Sequence, residues 1–174
     1  EVTAVCGPGC PDLPAGGERI GVGSAREMFE AASDCWPRMD MGLFCAAVAD
    51  FSPEPLGPQK FKKEGRQDGF NIRFTANPDI LRTLSHQRRE GQKVLGFAAE
   101  TTPDMDSLLE LARGKRARKD ADLLAGNRVN SGDSGFGAAT NSMAVVDRTG
   151  HEEIWPNQSK ADVAWDLCSW LLRL

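Results

Sequence analysis

Histidine is scarce in this chain. His86 and His151 are the only two, and neither stands at ligand spacing from a cysteine pair, which argues against a structural zinc site. The five cysteines, Cys6, Cys10, Cys35, Cys45 and Cys168, are odd in number and scattered, so they give no disulfide framework. With no charged, apolar and cleavable leader at the start, a reducing cytoplasm is the expected compartment. No apolar run approaches the ~20 residues that span a bilayer, so a soluble chain without membrane contact is expected. Gly-x4-Gly-Lys-Ser/Thr does not occur, which excludes a P-loop, and there is no Gly-x-Ser-x-Gly elbow. Gly21-Val22-Gly23 precedes a helical stretch, but Arg26 stands where a dinucleotide fingerprint needs its third glycine. Positive charge is also short: 21 Lys and Arg face 25 Asp and Glu, a net charge of -4. That balance argues against broad nucleic-acid binding and leaves room only for a local anion site.

What the 174 residues do contain is ordinary globular material, 40% hydrophobic and 26% charged, enough for one domain over 1–174 with one core. Val2 to Cys6 is rich in strand formers and stops at Gly7-Pro8-Gly9. A second short strand over 18–22 leads to Ser24 and Glu27, which form a capping box for a helix to about Ser33. Met41 to Val48 is continuously small or apolar, as a central parallel strand would be. The stretch 52–69 combines prolines, glycines and the cluster Lys60, Lys62 and Lys63, and predicts a long lid-like loop. Alternation over Phe70 to Phe74 predicts a strand, and Asn77-Pro78 an N-cap and first helical residue of a helix to about Arg89.

Further on, Val94 to Ala98 predicts a buried strand. Thr102-Pro103 opens a helix with Met105, Leu108, Leu109 and Ala112 on one face. Leu123 to Ala125 gives a short strand. Residues 143–146 and 153–155 flank Asp147-Arg148-Thr149-Gly150 as a hairpin. Ser159 and Asp162 cap a final helix that lines up Val163, Leu167, Trp170, Leu171 and Leu174. The alternation specifies an α/β fold with an antiparallel annex.

Four separated stretches add more: Ala46-Ala47-Val48-Ala49-Asp50-Phe51, Lys60-Phe61-Lys62-Lys63, Asn77-Pro78-Asp79-Ile80-Leu81 and Gly96-Phe97-Ala98-Ala99-Glu100-Thr101. Their order and approximate spacing resemble the phosphopantothenate–cysteine ligase family. Matches continue through 112–119, 122–127, Gly135-Phe136 with Asn141, and Ser159-Lys160, so the resemblance covers nearly the whole chain. It implies a Rossmann-like, three-layer, mostly parallel sheet with a C-terminal β-hairpin annex. One departure stands out: the family opens with a Gly-rich strand and an asparagine-bearing loop, a strand–helix unit missing here, and Glu1 to Cys6 resembles its second strand. The resemblance implies a CTP-dependent, Mg²⁺-assisted ligase that joins 4'-phosphopantothenate to L-cysteine through an acyl-cytidylate, in coenzyme A biosynthesis. It implies a cytoplasmic homodimer, and a flavin-dependent decarboxylase fused upstream in many bacteria. The alternatives are a non-catalytic nucleotide-binding module of the same fold, or part of a fused flavin-dependent phosphopantothenoylcysteine decarboxylase/ligase.

Residue by residue, the resemblance implies a nucleotide site of Phe44, Asp50, Lys60, Pro78, Asp79, Ile80, Leu81, Phe97, Lys115 and Lys119. Ala46 and Ala47 would contact phosphopantothenate through their backbone, since small side chains allow close approach. Asp50 follows an apolar strand, and is either a strand-ending turn aspartate or a Mg²⁺ ligand beside the triphosphate. Lys60 is either a solvated loop lysine or the catalytic cation that opposes charge building at the α-phosphate. Residues 78–81 start a helix, whose N–H groups can meet an acceptor. Phe97 combines burial with contact to CTP. Lys115 and Lys119, four apart near a helix end, either complement its dipole or grip the triphosphate.

Overall fold

The structure, a computed structural model, describes residues 1–13, 16–55, 57, 70–129 and 139–174. Its elements run β1 (Thr3–Cys6), β2 (Glu18–Gly21), α1 (Ala25–Cys35), a 3-10 turn (Trp36–Arg38), β3 (Met41–Phe44), β4 (Phe51–Pro53), β5 (Phe74–Ala76) and α2 (Ile80–His86). They continue with β6 (Lys93–Glu100), α3 (Met105–Lys119), β7 (Leu123–Arg128), β8 (Thr140–Asp147), β9 (Glu152–Ser159) and α4 (Lys160–Arg173). Five strands form one sheet in the order β3-β6-β7-β8-β9, parallel from β3 to β7 and antiparallel from β7 to β9. The antiparallel half is the expected hairpin annex. Strands β1 and β2 pair in parallel as a separate ribbon, and β4 with β5 form an antiparallel one.

Strand periodicity divides the core into layers. Because successive side chains point to opposite faces, Leu95, Leu123, Ala125, Met143 and Val145 face α4, where Val163, Leu167, Trp170 and Leu171 meet them. The alternate residues Ala98, Leu124, Ala144 and Val146 face α3 and pack on Leu108, Leu109 and Ala112. A third cluster, Trp36, Ile80, Leu84, Val94 and Ala121, takes Met28, Phe29 and Ala32 of α1 and so fastens the β1–β2–α1 unit to the sheet. Trp36 Nε1 donates to Leu84 O at 2.9 Å, and Gln92 Nε2 donates to Trp36 O at 2.8 Å and Met39 O at 2.6 Å. Those bonds satisfy polar groups that this cluster would otherwise bury unpaired.

Two helix starts fall where the capping residues put them. Ser24 accepts Glu27 N–H at 3.2 Å, while the Glu27 carboxylate reaches back to Gly23 N–H at 2.6 Å; Ser159 accepts Asp162 N–H at 3.1 Å. Two others start two residues later than expected. Asp79, not Asn77, caps α2, accepting Arg82 N–H at 3.1 Å, and Asp104, not Thr102, caps α3, accepting Ser107 N–H at 2.7 Å. In both cases an aspartate stands closer to the helix than the expected cap, and either residue type serves.

Strands differ as well. β3 ends at Phe44 instead of Val48 and lies at the edge of the five-stranded sheet among the described residues, with Met41 and Leu43 exposed on one face. Val48 N–H turns back to Ala46 O at 3.0 Å, which takes the segment out of strand geometry. The strand expected over 70–74 forms at Phe74–Ala76, because its pairing is set by distant Phe51–Pro53. α2 ends at His86, short of Arg89, whose N–H is taken by Gln92 Oε1 at 2.7 Å. Among the described residues no helix is long and apolar enough to cross a membrane.

Candidate functional site

The strand β3 stops at the pair Phe44↔Gly96, while β6 continues to Glu100. The chain leaving β3 carries Ala46, Ala47 and Asp50, all exposed. Asn77 ties this segment to the start of α2: its side-chain Nδ2 donates to Ala49 O at 2.8 Å and its backbone N–H to Asp50 O at 2.8 Å. Residues 27 or more apart in sequence are therefore bonded together, which brings the end of the loop after β3, at 49–50, to the residue that leads into α2. That juxtaposition is the centre of the site.

The helix α3 closes one side. Lys119 Nζ donates to Asp79 Oδ2 at 2.5 Å, and Asp79 Oδ1 caps α2 at the same time. Lys115 Nζ pairs with Glu100 Oε1 at the end of β6. Both lysines thus sit on carboxylates instead of pointing into solvent. Asp79, Arg82, Arg118 and Lys119 line a concavity of about 250 Å³, three cations around one carboxylate. A wall of this kind attracts an anion of several charges.

Apolar members of the expected site take supporting positions. Leu81 lies on β6 over Gly96, so closely that a Cβ on Gly96 would meet Leu81 Cδ2 at 2.6 Å. Ile80 is buried in the third core cluster. The Phe44 ring folds back over Gly42 and meets Trp36 edge-on at 6.3 Å. Phe97 belongs to the opposite face of β6, packed with Leu95 against the α4 core, so its side chain is not on the Leu81 side. Pro78 precedes the cap and stands outside the helix. Lys60, the catalytic candidate, lies outside the described residues together with Lys62 and Lys63, as do Gly135 and Phe136.

Spacing alone missed four residues of the candidate site. Asn77 had been assigned to capping, yet it acts as a tether between segments. Glu100, inside a quoted motif, emerges as the partner of Lys115. Arg82 and Arg118 carry no local signal, because only folding brings α2 and α3 together.

The described residues form an open α/β domain with a cation-lined concavity at the start of α2. Comparison with known proteins places this domain in a family. Residues 1–174 match the family model of the DNA/pantothenate metabolism flavoprotein C-terminal domain, and the chain belongs to that family. It is 36% identical over 168 residues to the coenzyme A biosynthesis bifunctional protein CoaBC of Bacillus subtilis (strain 168), covering 96% of this chain and 40% of that protein. The chain therefore spans less than half the length of that relative. The crystal structure of the C-terminal domain of a coenzyme A biosynthesis bifunctional protein CoaBC superposes with a TM-score of 0.76 at 26% identity, over 99% of this chain and 75% of that one. A Cab2 mutant in complex with phosphopantothenate-cysteine shares the fold at a TM-score of 0.58 and 20% identity, over 80% of this chain and 47% of that one.

Proposed function

We propose that the chain carries the ligase step of coenzyme A biosynthesis, joining 4'-phosphopantothenate to L-cysteine with CTP as the activating nucleotide, and works as a homodimer. The observation that carries this reading is the pairing of Lys115 with Glu100 and of Lys119 with Asp79 beside the 46–50 and 77–81 stretches. Partly exposed ion pairs contribute only ~0 to 1 kcal/mol each, so an incoming triphosphate can take over both lysines at small cost. The relation to a protein named for coenzyme A biosynthesis supports the pathway.

In the proposed reaction the phosphopantothenate carboxylate attacks the α-phosphorus of CTP. The α–β P–O bond breaks and pyrophosphate leaves with the electron pair. The cysteine amine then attacks the acyl carbon, CMP departs, and the amine gives up a proton to form the amide. Lys60 is assigned to the charge that grows at the α-phosphate in the first step. Lys115 and Lys119 hold the triphosphate before reaction. Ala46 and Ala47 offer backbone to phosphopantothenate, while Pro78, Ile80, Leu81 and Phe44 support the nucleotide side by packing; Phe97, whose side chain packs on the α4 face of β6, can contribute there only through its backbone. Asp50 is a single exposed carboxylate, and no three His, Cys, Asp or Glu side chains converge on a metal site among the described residues. That donor set fits Mg²⁺ arriving with the triphosphate, held mostly by phosphate oxygens and water plus one carboxylate.

The test is pyrophosphate release by the naturally encoded protein with CTP and phosphopantothenate but no cysteine. Lys60→Gln should slow release at saturating CTP by roughly a hundred- to thousandfold. Lys119→Gln should raise the CTP requirement, with a smaller effect at saturation. Wild-type protein that releases no pyrophosphate in this assay sinks the ligase reading, and a Lys60→Gln rate near wild type removes Lys60 from the first step.

A further inference from the structure

Where β1 ends, two thiols meet. Cys6, the last residue of β1, is buried. Gly7-Pro8-Gly9 then reverses the chain: Cys10 N–H donates to Gly7 O at 3.3 Å, and Gly9 takes φ +79°, a left-handed conformation that costs glycine little. Arg19, one strand over on β2, secures the returning segment by donating Nη1 to Pro11 O at 2.8 Å and Nη2 to Cys10 O at 3.1 Å. These anchors leave Cys10 half-buried, with its S–H donated to Cys6 Sγ at 3.2 Å. The two sulfurs are thus in contact, one shielded and one reachable.

We propose that Cys6 and Cys10 form a redox-active dithiol, a modification site that closes to an intramolecular disulfide on meeting a small disulfide and reopens under a thiol reductant. The sulfurs need approach only from contact to the ~2.05 Å of the bond, and the residues between them form a turn outside helix and strand. In chemical terms the Cys10 sulfur attacks the small disulfide, forming a mixed disulfide and releasing one thiol. Cys6 then loses its proton and attacks Cys10 Sγ, releasing the second thiol. Two protein thiols are oxidised and one small disulfide is reduced to two thiols. The order follows from exposure and from ionisation. The sulfur–sulfur hydrogen bond with Cys10, in which Cys6 S–H becomes the donor once Cys10 ionises, and next burial, raise the Cys6 thiol above its ordinary range. Cys6 is therefore held protonated until Cys10 has reacted, and the mixed disulfide removes the first of those causes. Disulfides of intracellular proteins are characteristically transient ones of this type. The site is independent of the ligase reading.

Cys45, just past β3, interacts electrostatically with both thiols and is the natural competitor. The experiment incubates the naturally encoded protein with glutathione disulfide, blocks remaining thiols with N-ethylmaleimide, and weighs the tryptic peptide ending at Arg19, which carries both cysteines. The expected peptide is about 2 mass units lighter than the reduced one, bears no maleimide, and takes up two after dithiothreitol. Cys45→Ser should leave this unchanged, whereas Cys10→Ser should yield a peptide with maleimide on Cys6. Closure should be about tenfold faster in the folded protein than in urea, since the fold supplies the proximity. A wild-type peptide that keeps two maleimides, a bond from Cys6 or Cys10 to Cys45, or equal rates in urea would overturn the proposal.

Discussion

Asp147 is a buried carboxylate with four donors aimed at it. Its Oδ1 accepts Thr149 N–H at 2.8 Å, Thr149 Oγ1 at 2.7 Å and His151 N–H at 3.1 Å, and its Oδ2 accepts Trp170 Nε1 at 3.0 Å. Burial alone would raise its pKa, but the bonds from Thr149, Trp170 and His151 outweigh burial and hold it below the usual carboxylate range. The folded pKa is thus depressed, so the stabilisation is present above the unfolded value of about 3.9 and is lost as pH falls from there through the folded value. Asp147→Asn would turn a donor toward one of those donors and should cost about 1.5 to 3 kcal/mol at neutral pH. Urea unfolding should show the gap between wild type and variant narrowing below about pH 4. An equal gap at pH 3 and pH 7 would sink this account. None of this was legible from sequence beyond a turn at 147–150, because Trp170 joins the network from 23 residues away. Lys115 and Lys119 show the same limit: their shared face was readable from spacing, but Glu100 and Asp79 as partners were not.

Elements with strong local signals were legible in the sequence. Ser24 and Ser159 cap α1 and α4 where the motif puts them, and the apolar stripe of α4 is the buried face. Local reading failed where a distant demand decided. Asn77 gives up the cap because its amide is used on Ala49 O, and β5 forms where β4 can pair with it. The contact of α2 with β6 is another long-range fit, made possible by Gly96. A Cβ there would lie 2.6 Å from Leu81 Cδ2 and 3.1 Å from Leu124 Cδ1, so the Leu81 side chain must swing away from its packed position. Gly96→Ala should therefore destabilise the protein by about 1 to 3 kcal/mol. Adding Leu81→Ala should recover part of that loss, because the two changes share one contact. Thermal or urea unfolding of the single and double variants measures both. A Gly96→Ala protein within about 0.5 kcal/mol of wild type would show that Leu81 has room to spare.

Across the whole molecule, cover on the strands is uneven, and stability should follow it. β6, β7 and β8 are covered by α4 on one face and by α3 on the other. The α/β layering was legible in the sequence for the same reason: continuous apolar runs in Val94 to Ala98 and Met143 to Val146 mark strands buried on both faces. Separate ribbons were not legible, since β1–β2 and β4–β5 owe their positions to neighbours instead of to their own pattern. The β1–β2 ribbon reaches the rest of the molecule mainly through α1 and the Trp36 cluster, and β4–β5 exposes Phe51 and Phe74. Local opening free energy scales with how much buried contact an element must give up. Hydrogen exchange of the naturally encoded protein should therefore find the amides of Leu95, Leu124, Ala125 and Val145 among the last to exchange, opening only with the whole domain. Those of Ser52 and Thr75 should exchange early, and β1–β2 should fall between, losing protection when Trp36→Ala removes the centre of its attachment. The Trp36→Ala change should leave the order of β6, β7 and β8 intact, because their two core layers do not include Trp36. If β1–β2 instead exchanges together with β6 in the wild type, the ribbon is one cooperative unit with the sheet, and the division into a covered centre and lightly attached ribbons is wrong.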